Sequence, residues 1–493
     1  MATEASRARK GKRFAGRLAA SVLITSSLAG CMVGPDYVRP SVAVPTAYKE
    51  MRGWKPARPA DDLDRGAWWR VIRDPTLDKL ERQVVIGNQN LAQAEAAYRQ
   101  AKALVGEAKA GLFPTVTGTG DVTRQNNRGI YATTSTAEAA ADWELDLWGR
   151  IRRDVESQTA AAQAGAADVA SAQLSAEATL ATLYIQLRYQ DSLKRLLADT
   201  VVAYQHSLEI VKNQNAAGIT SPSDVYAAQT QLENAQAALI GVDRDRATYE
   251  HAIAVLMGLP PADVSIARGA LPNDNPNIPV SVPSTLLERR PDIAAAERRM
   301  QAANAQIGVA TAAFFPDISL SGAIGAASAS ANLFHAAKEL WSIAASGAQT
   351  LFDGGLRAAT VEATRAAYEE AVASYRQTVL TAFQNVEDDL SSTRVLRRQL
   401  VAQQAALRDA RQSMEVALRE YQAGTTAYTT VLNAQTTTLA TEQAVLALRQ
   451  ARLLTTVDLV KALGGGWSTK DLPSATALAQ APIHLLPTAT STP

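Results

Sequence analysis

Few residues in this chain are placed to do chemistry, and their spacing limits what that chemistry is. Cys31, the only cysteine among 493 residues, directly follows Leu28-Ala29-Gly30. Small residues fit a signal-peptidase pocket, and a thiol immediately after them is the nucleophile that a bacterial diacylglyceryl transferase requires. Upstream, Arg7, Arg9, Lys10, Lys12, Arg13 and Arg17 form a basic region, and Leu18 to Leu28 an apolar stretch too short to span a bilayer. Residues 1–30 read as a secretion signal, and Cys31 as a lipid attachment site strong enough to hold the chain at a membrane.

The other candidates point away from catalysis. His206, His251, His335 and His484 are scattered, so no metal site is expected. Glu387, Asp388 and Asp389 are consecutive on a helical stretch and point in different directions, which suits a solvated face and not an acid–base dyad. Gly464-Gly465-Gly466 lacks the Lys-Ser/Thr of a P-loop. No catalytic residue and no cofactor is expected, and the chain reads as a non-enzyme. Lys and Arg (49) nearly balance Asp and Glu (48), so nucleic acid is not an expected partner. Loss of residues 1–30 leaves 43 basic against 47 acidic side chains, and a single cysteine excludes stabilisation by disulfides within the chain.

The elements that carry these residues come in two copies. Residues 91–114 match 293–316 without gaps, through Glu95/Glu297, Ala101/Ala303, Gly106/Gly308, Phe113/Phe315 and Pro114/Pro316. Farther on, Gly149 matches Gly354, Gly218 matches Gly424, and Ala228-Gln229-Thr230 matches Ala434-Gln435-Thr436. A Pro-rich run over 258–285 divides the halves, giving a first repeat over 75–257 and a second over 286–467. Residues 31–74 form an extended N-terminal segment, and 468–493, rich in Thr, Pro and Ala, are expected to be disordered.

Each repeat has a helical stretch (75–111; 286–313), a Thr/Ser/Gly/Ala-rich segment, a very long helix (148–216; 356–422) and a shorter return helix (222–257; 427–463). Near seventy residues at 1.5 Å rise gives roughly 100 Å, and apolar residues three and four apart with Ala between favour coiled-coil-like packing. One long helix equals two of the shorter ones laid end to end. The segments between alternate with period two, giving strands over 115–125, 131–145, 317–326 and 341–351, with Trp143 and Trp341 suited to a membrane interface. Strands apolar outside and polar within belong in a lipid-facing barrel, where open edges are not tolerated. Four strands cannot close alone; two chains give a filled barrel, and three leave a lumen.

The turns that break the long hairpins centre on Gly218 and Gly424. Beyond the second, Thr429 and Asn433 are four apart and share a helix face, with Tyr428 beside them.

Taken in order, Cys31 with Gly34-Pro35-Asp36-Tyr37, Asp146-Leu147-Trp148-Gly149-Arg150, Glu288-Arg289-Arg290-Pro291-Asp292-Ile293, Phe315-Pro316, Phe352-Asp353-Gly354-Gly355 and Leu463-Gly464-Gly465-Gly466-Trp467 resemble the TolC-like outer membrane factors. Within these the resemblance is to the NodT-like lipoprotein branch, and it covers about residues 28–467. It implies a homotrimer in which four strands per chain build a twelve-stranded β-barrel above a long α-helical barrel. It also implies a lipid-anchored outer-membrane location with a large periplasmic portion. The implied function is passive conduction of drugs or other small solutes delivered by an inner-membrane pump of the resistance-nodulation-division class and a periplasmic adaptor.

The resemblance further implies that Gly218, Ile219, Thr220, Gly424, Thr425 and Thr426 meet the adaptor, and that Tyr428, Thr429 and Asn433 line a closed periplasmic aperture. Related ducts often carry a carboxylate where Asn433 stands. Asn433 would seal by hydrogen bonding and bulk, and Asp224 is an alternative source of charge there. The competing readings are a lipid-anchored periplasmic coiled coil bearing surface hairpins and an outer-membrane factor for another export system.

Overall fold

A computed structural model describes residues 32–51, 67–272, 286–331 and 338–480; Cys31 lies outside them, as do the second half of the Pro-rich run and residues 481–493. The first repeat comprises α1 (Pro75–Gly87), α2 (Gln89–Ala110), β1 (Thr115–Asn127), β2 (Ile130–Glu144), α3 (Arg150–Ala216) and α4 (Pro222–Leu256). The second comprises α5 (Leu286–Arg289), α6 (Pro291–Ala312), β3 (Asp317–Ser328), β4 (Lys338–Ala348), α7 (Leu356–Gln422) and α8 (Tyr428–Ala462), followed by a short α9 (Ala475–Ala479). The two long helices, α3 and α7, have 67 residues each.

The helices form side-by-side strips. α2 and α4 together flank α3, α6 and α8 together flank α7, and α3 packs on α6 and α8 to join the repeats. The single helix expected over 75–111 is two helices. Asn88 breaks it, because its side chain accepts from Leu91 N–H (2.9 Å) and donates to the Leu256 carbonyl at the end of α4 (2.8 Å). Arg290 does the same work in the second repeat, donating to the Ala462 carbonyl at the end of α8 (3.0 Å), and Pro291 opens α6. Short helices therefore abut through their capping groups. The approach is close: a Cβ added at Gly258 would lie 2.0 Å from the Gly87 carbonyl, and one at Gly464 2.0 Å from that of Arg289. Both glycines have positive φ (73° and 93°) and end their helices in Schellman turns.

Where the repeats meet at this level lies the main core, with Leu180, Tyr184, Leu187, Ile253, Ile293, Val379, Val386 and Val457 among its members. The Pro-rich run contributes Ile266 and Leu271 to it, so its first half is packed and not a free linker. Glu81 of α1 is 0% exposed there, and neither carboxylate oxygen has a hydrogen-bond partner. Burial, reinforced by the Glu177 and Asp78 charges, pushes its pKa up to about 10.

The N-terminal segment is a strap. Val33 N–H donates to the Trp148 carbonyl (3.0 Å), and Arg153, whose side chain is buried, holds the Val33 carbonyl (3.2 Å) and the Asp36 carboxylate (2.8 Å). Farther along, the Glu387 carboxylate accepts from the backbone N–H groups of Lys49 (2.7 Å) and Glu50 (2.9 Å). This corrects the solvated face expected for residues 387–389 at Glu387, while Asp388 is exposed as expected. Asp389 also departs from it, since burial beside Asp458 and Asp388 pushes its pKa up to about 7. The disorder expected from 468 is likewise overturned over 468–480: Gln163 donates to the Pro473 carbonyl (3.0 Å), and Leu478 is buried against Val105 and Ala162. Helix surface waiting for an apolar partner gives Leu478 its place.

β1 to β4 form one antiparallel sheet in chain order. The first hairpin turns through Arg128 and Gly129, both at positive φ (53° and 88°), with Gly129 N–H donating to Asn126 Oδ1 (2.9 Å). The hairpins are joined by β2–β3 pairing, with Ser135 opposite Ser328 and Glu144 opposite Ser319. β1 and β4 are left as free edges.

Two outcomes are expected. Glu81 has a folded pKa above its unfolded value, so its contribution to stability is fully present below about pH 4.5 and is lost as pH rises toward about 10, with a slope of up to about 1.4 kcal/mol per pH unit. Thermal midpoints followed by circular dichroism should fall between pH 5 and 9 for the wild type and much less for Glu81→Gln; parallel profiles would refute a neutral buried acid. Gly464→Ala should lower the midpoint well beyond the about 1–2 kcal/mol of a left-handed alanine alone. Gly424→Ala, with open space around it, should cost only that.

Candidate functional site

Both hairpin tips are built alike. In the first, Gly218 (φ 72°) donates to the Asn215 carbonyl and Ile219 N–H to that of Gln214 (both 2.9 Å). In the second, Gly424 (φ 75°) donates to the Tyr421 carbonyl (3.0 Å) and Thr425 N–H to that of Glu420 (2.9 Å). These Schellman turns satisfy the last carbonyls of α3 and α7 and reverse the chain in a few residues. The return helices start differently. Ser221 caps α4 through Ser223 N–H (3.1 Å), with Pro222 in the first turn, whereas Ala427 offers α8 no side-chain cap.

The tips lie side by side. Gln214 donates to the Tyr421 carbonyl (3.3 Å), and the buried Gln435 amide donates to Ser207 Oγ (2.7 Å). Val201, Tyr204, Leu208, Val211, Leu232, Tyr421, Tyr428 and Val431 form a second, smaller core between the hairpins.

Of the six tip residues, Ile219 stands 67% exposed, Thr220 donates its hydroxyl to Asp224, and the Thr425 hydroxyl folds back on the Glu420 carbonyl (2.9 Å). Thr426 donates to the Thr430 hydroxyl (3.1 Å), while Gly218 and Gly424 have open space on their Cα. Among the aperture candidates, Thr429 and Asn433 are exposed on one face of α8, and Asp224 is half-buried.

Tyr428 departs from its expected place. It is 2% exposed, with its ring 5.3 Å from that of Tyr421, so it supports the exposed pair from behind and lines nothing. Burial, with Tyr421 next to it, pushes its hydroxyl up to about 12, and the ring stays uncharged. The reason is amphipathic spacing: Tyr428, Val431 and Gln435 share the inward face of α8, and Thr429 and Asn433 the outward one. Sequence reasoning missed Tyr421, Ser207 and Gln435, which act across the two hairpins and carry no local motif.

At the other end the register sorts the sheet into two faces. One carries Val116 and Val122 of β1, Ala137, Ala139, Ala141 and Trp143 of β2, Ile318, Leu320 and Ile324 of β3, and Trp341, Ile343 and Ala345 of β4. The other carries Thr115, Thr117, Thr119 and Asp121, then Glu138 and Asp142, then Ser319 and Ser321, then Ser342 and Ser346. The strands are 11 to 15 residues long, and the first face is apolar over the half nearer the helices, with Arg124, Ser135, Ser328 and Glu339 toward the turns, which suits a lipid boundary. Among the described residues no helix is long and apolar enough to cross a membrane. Because the hairpins pair with each other, the reading of separate surface hairpins is lost.

At the junction of sheet and helices, Trp148 stacks on Phe315 (centroids 4.9 Å apart) and donates to the Pro316 carbonyl (2.8 Å). Arg150 clasps Glu144 at the end of β2 (2.7 Å), and Arg357 pairs with Asp353 in the loop that leads into α7.

Comparison with known proteins agrees with this architecture. The family model described as outer membrane efflux protein matches residues 81–259 and 282–465, one segment for each repeat. Outer membrane protein OprJ of Pseudomonas aeruginosa is 32% identical over 463 residues, covering 91% of this chain and 95% of its own. The probable efflux pump outer membrane protein TtgC of Pseudomonas putida is 30% identical over 452 residues, covering 89% and 93%. Among solved structures, the outer-membrane channel OprN superposes with a TM-score of 0.83 at 31% identity, covering 89% of this chain and all of that one. The open state of the Neisseria gonorrhoeae MtrE outer membrane channel gives 0.80 at 26% identity, covering 89% of this chain and 99% of that one. With both repeats matched and 89% of the chain shared with TtgC and with OprN, the chain belongs to the outer membrane efflux protein family, whose members are the outer-membrane channel components of efflux pumps.

Proposed function

We propose that this chain is one third of a homotrimeric exit duct that passively conducts drugs or other small solutes handed over by a periplasmic adaptor and an inner-membrane pump of the resistance-nodulation-division class. One observation carries the reading: a four-stranded sheet with an apolar face and two free edges continues into helices about 100 Å long. Three such sheets give twelve strands, enough to enclose a lumen. The helical strips repeat the logic, since among the described residues the outer sides of α2 with α4 at one margin and of α7 at the other meet no further strip. A contact of one margin with the opposite margin of the next copy closes into a ring.

The tips at Gly218–Thr220 and Gly424–Thr426 are the adaptor-docking surface in this reading. Exposed Ile219 offers it an apolar contact. Thr429 and Asn433 face the pore mouth, where a ring of carboxamides closes the aperture without charge, with Asp224 the nearest acid on the paired hairpin. Lipidation of Cys31 fits the strap, whose described part begins with Met32 against Gly149 and Val33 bonded to Trp148, beside the strand ends.

Asn433→Ala should raise basal conductance of the purified trimer in planar bilayers by at least about twofold. Unchanged conductance would move the constriction elsewhere. Cys31→Ser should abolish incorporation of labelled palmitate in growing cells while the protein still folds; retained label would refute the anchor.

A further inference from the structure

The two long hairpins share one backbone plan and differ in charge at one level. The bounds of α7 and α8 repeat those of α3 and α4 at a constant offset of 206, so Arg452 stands where Arg246 does in the first repeat, Arg397 where Asp191 does, Arg449 where Asp243 does and Thr456 where Glu250 does. In the first hairpin these residues are ion-paired. Arg246 reaches Asp191 across the seam (2.8 Å) and Glu250 one turn on (3.0 Å), and Asp243 holds Lys194. In the second hairpin three acids and a base have become three bases and a threonine.

Nothing in the described chain replaces the lost acids. The side chains of Arg397, Arg449 and Arg452 make no hydrogen bond or ion pair among the described residues, and the Nε of Arg452 is buried without a partner. Burial pushes the Arg452 guanidinium below its ordinary value, and the facing Arg397 charge pushes it the same way. Glu50 of the strap is already taken by Arg394, one turn before Arg397. Arg449 lies three residues before Arg452 on the same side of α8, which adds a third positive charge. Like charges on facing helices, one of them partly withdrawn from water, are unfavourable until a counter-charge comes between them.

We propose that Arg397, Arg449 and Arg452 form an anion site in the seam of α7 and α8, and that its ligand is a soluble oxyanion of the phosphate type. Charge and shape select this chemistry. One dianion neutralises two guanidinium groups at once, and each guanidinium presents a planar fork that matches phosphate oxygens two at a time. A single carboxylate leaves one arginine unpaired. Membrane lipid does not reach the site: Arg397 lies about forty residues beyond Leu356, the start of α7, which at 1.5 Å per residue is roughly 60 Å along the helix from the sheet end. The first hairpin is thus closed by its own ion pairs, and the second is closed by a ligand that bridges α7 and α8.

The test heats the full-length protein, purified in detergent, in sodium phosphate and in sodium chloride of equal ionic strength, with circular dichroism as the readout. About 10 mM phosphate should raise the wild-type midpoint by at least about 3 °C over chloride, and calorimetric titration should give about one phosphate per chain. Arg397→Asp restores the pairing seen between Asp191 and Arg246. Its midpoint in chloride should exceed that of the wild type, and phosphate should add less than about 1 °C. Arg452→Gln should lose the phosphate response as well. A midpoint that phosphate raises equally in the wild type and both variants, or raises no more than chloride does, would overturn the site. Should a carboxylate of a neighbouring copy fill the seam instead, Arg397→Asp would lower the midpoint in chloride and phosphate would not stabilise the wild type, and that result too overturns the proposal.

Discussion

The demand of backbone amides for partners where no water is available governs this molecule. Along β1 and β4 a row of N–H and C=O groups faces outward, and in hydrocarbon each unpaired group costs several kcal/mol. No choice of side chain removes that cost. Only another strand does, which makes assembly a condition of membrane residence and explains why both margins of the helical portion are unfinished along with the sheet. The apolar face built from Trp143, Ile324, Trp341 and Ile343 sets where the sheet sits, but the edges require that it find partner strands.

Duplication is the economical answer to that demand. A chain built of two like hairpins leaves at its free edges, β1 and β4, the counterparts of the strands β3 and β2 that pair inside it. The joints between short helices show how far the repeats keep to one plan while changing residues. Asn88 and Arg290 are chemically different, yet each donates to the equivalent terminal carbonyl, and Gly258 and Gly464 each let that approach happen. What is preserved is the satisfied carbonyl, not the side chain that satisfies it.

The parts of the fold legible in the sequence are those governed by local chemistry. The ends of α3 and α7 follow from Gly218 and Gly424, and the strands follow from alternation that the register sorts into an apolar and a polar face over the half of the sheet nearer the helices. Illegible were the contacts made over long sequence separations. Glu387 seems a solvated charge until the strap, more than three hundred residues away, brings two backbone donors to it. The order of residues 468–480 depends on a helix surface that no local pattern announces. At the candidate aperture, spacing correctly set Thr429 and Asn433 on one exposed face, but the burial of Tyr428 required knowing that Tyr421 stands across the turn.

That burial bears on how the mouth is held. The first hairpin returns through a capped start, with Ser221 taking an amide of the first turn and Pro222 needing none. The second returns through Ala427, which offers nothing, and an absent cap leaves a helix start weaker by about 1 kcal/mol. The first turn of α8 is thus held by packing and not by capping: Tyr428 and Val431 are sunk in the core between the hairpins, and Gln435 is bonded to Ser207 one turn on. Thr429 and Asn433 lie on the opposite, exposed face of this anchored turn. Their position therefore depends on the contact between hairpins, so whatever separates α8 from α3 at the tip also moves the two residues proposed to line the mouth. The uncharged ring proposed there suits such an arrangement, because neither closing nor parting it requires charges to be brought together or desolvated.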